Sequence, residues 1–171
     1  IGGALGVAIF AYLRKLNVLR WMDFLAPAVP LGQSIGRWGN YMNRELYGPP
    51  TDLPWGLRIP QAYRIQPYAD MSRYPPNTLF HPTFLYESLA TLGLCVLLIW
   101  IAERFREQRL PGDLLFAYLM GYAVIRFFIE YLRPDAWMMG TLAAAQVFAI
   151  VLFAIAAIAL LVRHTLARST N

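Results

Sequence analysis

Between Gly36 and Gly48 the sequence reads GRWGNYMNRELYG, a short stretch that places Arg37, Asn40, Asn43, Arg44 and Glu45 between apolar segments. Ionisable groups beside a bilayer core are expensive, so their presence there calls for a task. Guanidinium offers a planar fork of donors and keeps its charge at every physiological pH, which suits it to gripping a phosphate. A second set follows later, where Tyr118, Tyr122, Arg126 and Glu130 recur every fourth residue and share one helical face. An arginine at the centre of a span costs roughly 2.5–3.5 kcal/mol on insertion scales. A carboxylate four residues away recovers only part of that, because both groups must leave water. Two readings are open: an internal salt bridge that fixes helix packing, or an Arg126 that meets an anionic lipid headgroup while Glu130 and Tyr122 hold its guanidinium.

A third chemical element is HPTFLYES, residues 81–88. Pro82 suits the first turn of a helix, His81 stands at its entrance, and Glu87 falls more than a turn inside the apolar run that follows. Tyr86 and Glu87 are adjacent, about 100° apart around a helix, so they face different partners. His81 reads equally as an interface residue with a capping role or as a catalytic one. For Glu87, function or a specific interhelical hydrogen bond is the expectation. Arg37 has an alternative of its own, an anchor that snorkels to water. Gly36 and Gly39 flank it and would permit close backbone approach, which an anchor does not require.

These residues must be positioned by membrane-spanning elements. Hydrophobic residues make up 58% of the 171-residue chain and charged residues only 15%. That composition indicates an integral membrane protein. Residues 83–102, 114–132 and 141–162 each have the length and apolarity of one helical span. Residues 23–35 carry Pro27, Pro30 and Gly32 and read as a broken or tilted helix that delivers the 36–48 stretch to one membrane face. The chain opens Ile1-Gly2-Gly3 without an initiator methionine, and its first apolar run ends at Arg14-Lys15. A sequence truncated at its front is therefore expected.

The formal net charge of +5 arises from basic residues that flank apolar segments, a topology signal rather than a nucleic-acid surface. No nucleic-acid partner is expected. Arg14, Lys15 and Arg20, then Arg104, Arg106 and Arg109, then Arg163 and Arg168 fit one cytoplasmic side with alternating crossings. Residues 36–81 then lie outside. Between Pro49 and His81 seven prolines alternate with Trp55, Tyr63, Tyr68 and Tyr74. Proline breaks long elements and amphipathic rings prefer the headgroup layer, so this region reads as a loop on the membrane surface. The expected architecture is all-α, a polytopic helical bundle forming a single domain over 1–171, with 49–81 a periplasmic loop within it. Cys95 lies in an apolar run and reads as packing; no CxxC or Cys/His cluster occurs, so neither metal nor cofactor is expected.

Taken together these elements resemble one family. GRWGNYMNRELYG is similar to the signature motif of the bacterial prolipoprotein diacylglyceryl transferases, HPTFLYE to their His-Pro-x-x-Leu-Tyr-Glu element, and GYAVIRFFIEYLRPD to their late helix. The opening IGGALGVAIFAYLRK resembles the segment that precedes a basic turn in the family. The resemblance implies a multi-pass enzyme of the bacterial inner membrane with its active site toward the periplasm. It would move the diacylglyceryl group of phosphatidylglycerol onto the lipobox cysteine of prolipoprotein signal peptides, releasing glycerol 1-phosphate. Carried across by motif position, the catalytic residues are Arg37, Arg126, Glu130 and Tyr122. The phosphatidylglycerol-binding residues are Arg37, Asn40, Glu45, Gly48, Arg126, His81 and Glu87.

The sequence also departs from the family pattern. Ile1 stands where a histidine usually precedes the Gly-Gly, Arg44 where the signature has glycine, and Phe84 where the later element has glutamine. The front spans of the family are absent. Arg44 adds a positive charge beside the expected phosphate site, which points to an altered headgroup preference. Two other classes fit part of the pattern: a catalytically silent lipid-binding homologue, suggested by Ile1 and the missing front, and an anion transporter using Arg37 and Arg126 along a polar path. No inverted repeat supports the transporter.

Overall fold

A computed structural model describes residues 2–134 and 136–169. The chain is mostly helical: α1 (Gly2–Leu13), α2 (Val18–Leu25), α3 (Ala28–Asn43), α4 (Thr83–Arg104), α5 (Asp113–Glu130) and α6 (Ala144–Ser169). Two ribbons of two-residue strands complete it, β1 (Leu57–Arg58) against β2 (Leu79–Phe80) and β3 (Met138–Met139) against β4 (Leu142–Ala143), both antiparallel. Helices α4 and α6 are long and apolar enough to cross a bilayer, with mean hydropathy 2.0 and 2.8. The third expected span, α5, is 18 residues long and carries Asp113, Arg126 and Glu130. Its passage through an apolar medium depends on neutralising those groups.

The expected break in residues 23–35 falls near their start. The chain breaks at Ala26–Pro27, and α3 then runs without interruption through Gly32 to Asn43, so most of the 36–48 stretch is helical. Pro30 lies in the first turn of α3, where no intrahelical donor is lost. Helix α3 packs on α4 through Ser34 and Ser88, whose hydroxyls lie 3.1 Å apart, with Ser88 Oγ also donating to the Ser34 carbonyl at 2.9 Å. Small hydroxyl residues let two helices approach closely and bond across an apolar interface.

Helix α5 is fixed at its start by a distant carboxylate. Asp23, buried on α2, accepts from the backbone N–H groups of Gly112 at 2.7 Å and Leu115 at 2.9 Å. This satisfies two of the donors that every helix start leaves open, and places negative charge at the positive end of the dipole. Asp113 accepts from its own Leu110 N–H at 2.8 Å and meets His164 Nε2 at 2.9 Å, and Arg163 bonds the Pro111 carbonyl, so α6 is tied to the same corner. Ala26, Leu94, Leu98 and Leu114 form the core between α2, α4 and α5. A Cβ on Gly121 would run into the Leu94 side chain, so that glycine lets α5 lie close on α4.

The segment after α3 is more than a surface loop. Tyr47, Ile59, Tyr68 and Phe80 form a second buried cluster, giving residues 47–80 a core of their own. Its centre is Arg64, only 7% exposed, which donates from Nε to the Ile59 carbonyl at 2.8 Å and from its Nη atoms to the carbonyls of Tyr74, Pro75 and Pro76. Its guanidinium also lies 5.1 Å from the Phe80 ring centroid. Of the four aromatic residues expected at a membrane surface, Trp55 and Tyr63 are exposed, whereas Tyr68 is buried and Tyr74 packs against the cluster. Prolines here leave many carbonyls without ladder partners, and one arginine collects them.

Candidate active site

Helix α3 ends at Arg44, in the left-handed conformation with φ 55°, and this turn brings Glu45 back toward the helix. Glu45 Oε1 accepts from Asn40 Nδ2 at 3.0 Å and Asn43 Nδ2 at 3.1 Å. These two bonds, Asn43 first, hold the Glu45 carboxyl below its ordinary pKa. Asn40 Oδ1 in turn accepts from Arg37 Nη1 at 3.4 Å, and Arg37 Nη2 forms an ion pair with Glu87 of α4. Glu45, Asn40, Arg37 and Glu87 thus form one chain of contacts from the end of α3 into α4. Both ends of the Asn40 amide are occupied within it, so Asn40 orients Arg37 and Glu45.

Glu87 is 4% exposed and lies in the field of Arg37, Arg126 and Arg133. It ties α3 to α4 and lines one crevice with Ile129 and Arg133 of the late motif. On α5, Arg126 Nη2 lies 2.7 Å from Glu130 Oε2, one turn away. Arg126 and Glu130 are therefore ion-paired, which both readings of this face require, and Tyr122 does not take part. That ring is stacked on Tyr118 at 6.0 Å and packs against the core, and among the described residues its hydroxyl makes no hydrogen bond to Arg126. Tyr118 carries the polar contact of this pair, accepting from Gln33 Nε2 at 3.1 Å. Arg37, Asn40, Thr83, Phe84, Glu87 and Arg133 line one narrow crevice.

His81 does not join that crevice. Its Nδ1 lies 3.1 Å from the Tyr86 hydroxyl, which accepts from Trp55 Nε1 at 2.9 Å. An indole N–H only donates, so Tyr86 accepts from Trp55 and bridges the indole to the His81 ring. Tyr86 and Glu87 diverge as their adjacency requires: Tyr86 binds the lobe through Trp55, and Glu87 binds α3. Gly48 locks the same junction. Its N–H donates to the His81 carbonyl at 2.9 Å, and a Cβ there would meet His81 Cβ and Thr83 Oγ1 at 2.8 Å and the Leu132 carbonyl at 3.1 Å. At Gly36 and Gly39 a Cβ would meet nothing within 4 Å, so close approach occurs at Gly48 and not beside Arg37 as expected.

The two departures inside the motifs have distinct outcomes. Arg44 turns away from the crevice, its guanidinium 4.8 Å from the Tyr63 ring centroid. Phe84 is 8% exposed and packs against Trp38 and Tyr41 at 5.6 and 5.1 Å. Ile1, the third departure, lies outside the described residues. Arg133 and Asp23 were missed by sequence reasoning. For Arg133 helical spacing gave no signal: it lies beyond the end of α5 at Glu130, and the turn that follows brings it to the crevice. Asp23 gave no local signal, because its partners are 89 and 92 residues away.

With the ordered contacts of both motifs established, the sequence relationships become decisive. The family model described as prolipoprotein diacylglyceryl transferase matches residues 1–162. The chain belongs to the prolipoprotein diacylglyceryl transferase family. Among curated relatives, a phosphatidylglycerol–prolipoprotein diacylglyceryl transferase of Chloroflexus aggregans is 48% identical over 143 residues, covering 80% of this chain and 47% of the relative. Proteins of the same name from Thermosynechococcus vestitus and Synechococcus elongatus are each 44% identical, covering 91% and 99% of this chain and 55% and 57% of their own lengths. The chain spans about half the length of the curated relatives it matches. Its membership and its apolar helices make it part of a membrane protein.

Proposed function

We propose that the full-length protein transfers the diacylglyceryl group of phosphatidylglycerol to the lipobox cysteine of prolipoproteins, releasing glycerol 1-phosphate. The relatives that match most of this chain carry names stating that activity. The single structural observation that supports it best is the pairing of Arg37 from α3 with the buried carboxylate of Glu87 on α4, in a crevice whose wall also includes Arg133.

In the reaction the cysteine sulfur attacks the terminal glyceryl carbon of the lipid. A C–S bond forms, the C–O bond to phosphate breaks, and the thiol proton passes to a base. Negative charge grows on the departing phosphate oxygens, and that is where cations are needed. Arg37 and Arg126 fit this role, each presenting guanidinium donors beyond those its carboxylate takes. Glu87 and Glu130 are positioning residues that orient the two guanidinium planes and keep them charged in a poorly solvated site. Asn40 and Glu45 extend this support to the Arg37 side, and Gly48 holds the His81 backbone against the end of α3. Tyr122 acts through its stack on Tyr118, setting the α5 face that carries Arg126. On this reading the chain is a multi-pass protein of the bacterial inner membrane with the Arg37 end toward the periplasm, as the grouping of Arg20, Arg106 and Arg109 at the opposite end favours.

The test is a lipobox peptide mixed with phosphatidylglycerol vesicles and the full-length protein, followed by the peptide's mass. Arg37→Ala and Arg126→Ala should each reduce transfer by at least about a hundredfold, the scale of losing a donor to a developing oxyanion. Near wild-type transfer by both variants would show that the phosphate is held elsewhere.

A further inference from the structure

A cavity lies at the other end of the helices. It measures about 460 Å³ and is lined by Arg20 of α2, Arg106 and Arg109 of the α4–α5 turn, the buried Asp23, and apolar walls that include Phe24 and Leu114. Its single carboxylate, Asp23, already accepts two backbone N–H bonds from the start of α5. Among the described residues no carboxylate pairs with Arg20 or Arg106. Arg109 donates from Nη2 to the Ala102 carbonyl at 3.1 Å, while its Nε is buried without an acceptor. Three guanidinium groups therefore face a cavity whose one acid is committed.

Depth decides what such a cavity suits. Fifteen residues of α4 separate Glu87 from Ala102 in the cavity wall, roughly 22 Å at about 1.5 Å per residue, so one phosphate cannot contact both sites. The cavity opens beside the last turn of α4, a helix long and apolar enough to cross a bilayer, which suits it to a phosphate of the opposite leaflet. Cationic forks at the rim and apolar side chains below match a phosphodiester whose acyl chains continue into the bilayer.

We propose that the cavity bounded by Arg20, Arg106 and Arg109 binds the phosphodiester headgroup of an anionic phospholipid in the leaflet opposite the one served by the Arg37 and Arg126 site. The bound headgroup joins α2 to the α4–α5 turn beside the Asp23 cap and so braces the helix that carries Arg126. The choice of leaflet rests on the transferase reading, while the different residues of the cavity and an assay that measures no transfer let the two fail separately.

The experiment uses the full-length protein carrying Arg37→Ala, which weakens headgroup binding at the distant site. The protein is extracted from vesicles of equal phosphatidylglycerol and phosphatidylcholine, and retained lipid is counted by native mass spectrometry. Selective retention of phosphatidylglycerol is expected, reduced at least about tenfold by Arg20→Gln with Arg106→Gln, the scale of one charge-assisted bond or more. The charge-matched pair Arg14→Gln with Arg168→Gln, outside the cavity, should leave it unchanged. Equal losses in both pairs would mean general attraction between basic residues and an anionic surface, and would overturn the site, as would retention without preference for phosphatidylglycerol. Inorganic phosphate is titrated alone: saturable binding abolished by the Arg20 and Arg106 substitutions, without selective lipid retention, overturns the lipid assignment. Arg20 and Arg106 are exposed, so the fold should tolerate the changes, and each single substitution gives a partial loss by which the same conclusion is read if the pair unfolds.

Discussion

Removing the Glu87 carboxylate tests how the two motifs are joined. The side chain is 6% exposed and that of its partner Arg37 is 26% exposed. Taking one member from a fully buried ion pair costs about 3–5 kcal/mol, because the other charge is left without compensation. Water reaches a quarter of Arg37, so about 2 kcal/mol is the appropriate figure for their coupling. The assay is a double-mutant cycle on the full-length protein in mild detergent, comparing Glu87→Ala, Arg37→Ala and the double variant by unfolding. Each single variant should be less stable than the wild type, and the double variant should be more stable than the sum of the two losses by about 2 kcal/mol. Stability changes that add to within about 0.5 kcal/mol would refute the pairing, and with it the idea that Glu87 ties α3 to α4.

Three further outcomes follow from the geometry. Gly48→Ala should lower stability by about 1–3 kcal/mol and depress transfer, because its methyl group meets His81, Thr83 and the Leu132 carbonyl; an unchanged unfolding temperature contradicts that packing. At Arg44, glycine should be tolerated better than alanine by about 1 kcal/mol, since both lose the contact with Tyr63 but only alanine keeps the side-chain clash of a left-handed residue; the reverse order in thermal unfolding refutes this. Glu45 has a folded pKa below its unfolded value, so its stabilising bonds to Asn43 and Asn40 are fully present above the ordinary carboxylate pKa and are lost as pH falls through the depressed one. Stability measured through that acid window should decline less in Glu45→Gln than in the wild type, and identical declines would contradict it.

The helices and the charged face of α5 were legible because they depend on local periodicity. Tyr118, Tyr122, Arg126 and Glu130 share a face by spacing alone, and the Arg126–Glu130 pair needs only one helical turn. Glu87 was legible as a carboxylate too deep in an apolar run to be idle, and its partner proved to be on another helix. The compact lobe over residues 47–80 was harder to read, since proline and aromatic content describe a surface loop and a small aromatic core equally well. Arg64 decides between them by binding carbonyls of residues up to twelve positions away, a pattern with no sequence period. The role of Asp23 depends on a fold that brings α2 to the start of α5. Tyr122 illustrates the opposite limit: periodicity places it on the Arg126 face, yet ring stacking on Tyr118 satisfies it first.

The central claim is that Arg37 and Arg126 serve a phosphate that leaves as a thioether forms. The most direct measurement follows modified lipobox peptide and released glycerol phosphate together, in vesicles of phosphatidylglycerol with the full-length protein. One glycerol 1-phosphate should appear for each peptide modified. Modified peptide accompanied by free fatty acid, with no glycerol phosphate, would contradict it.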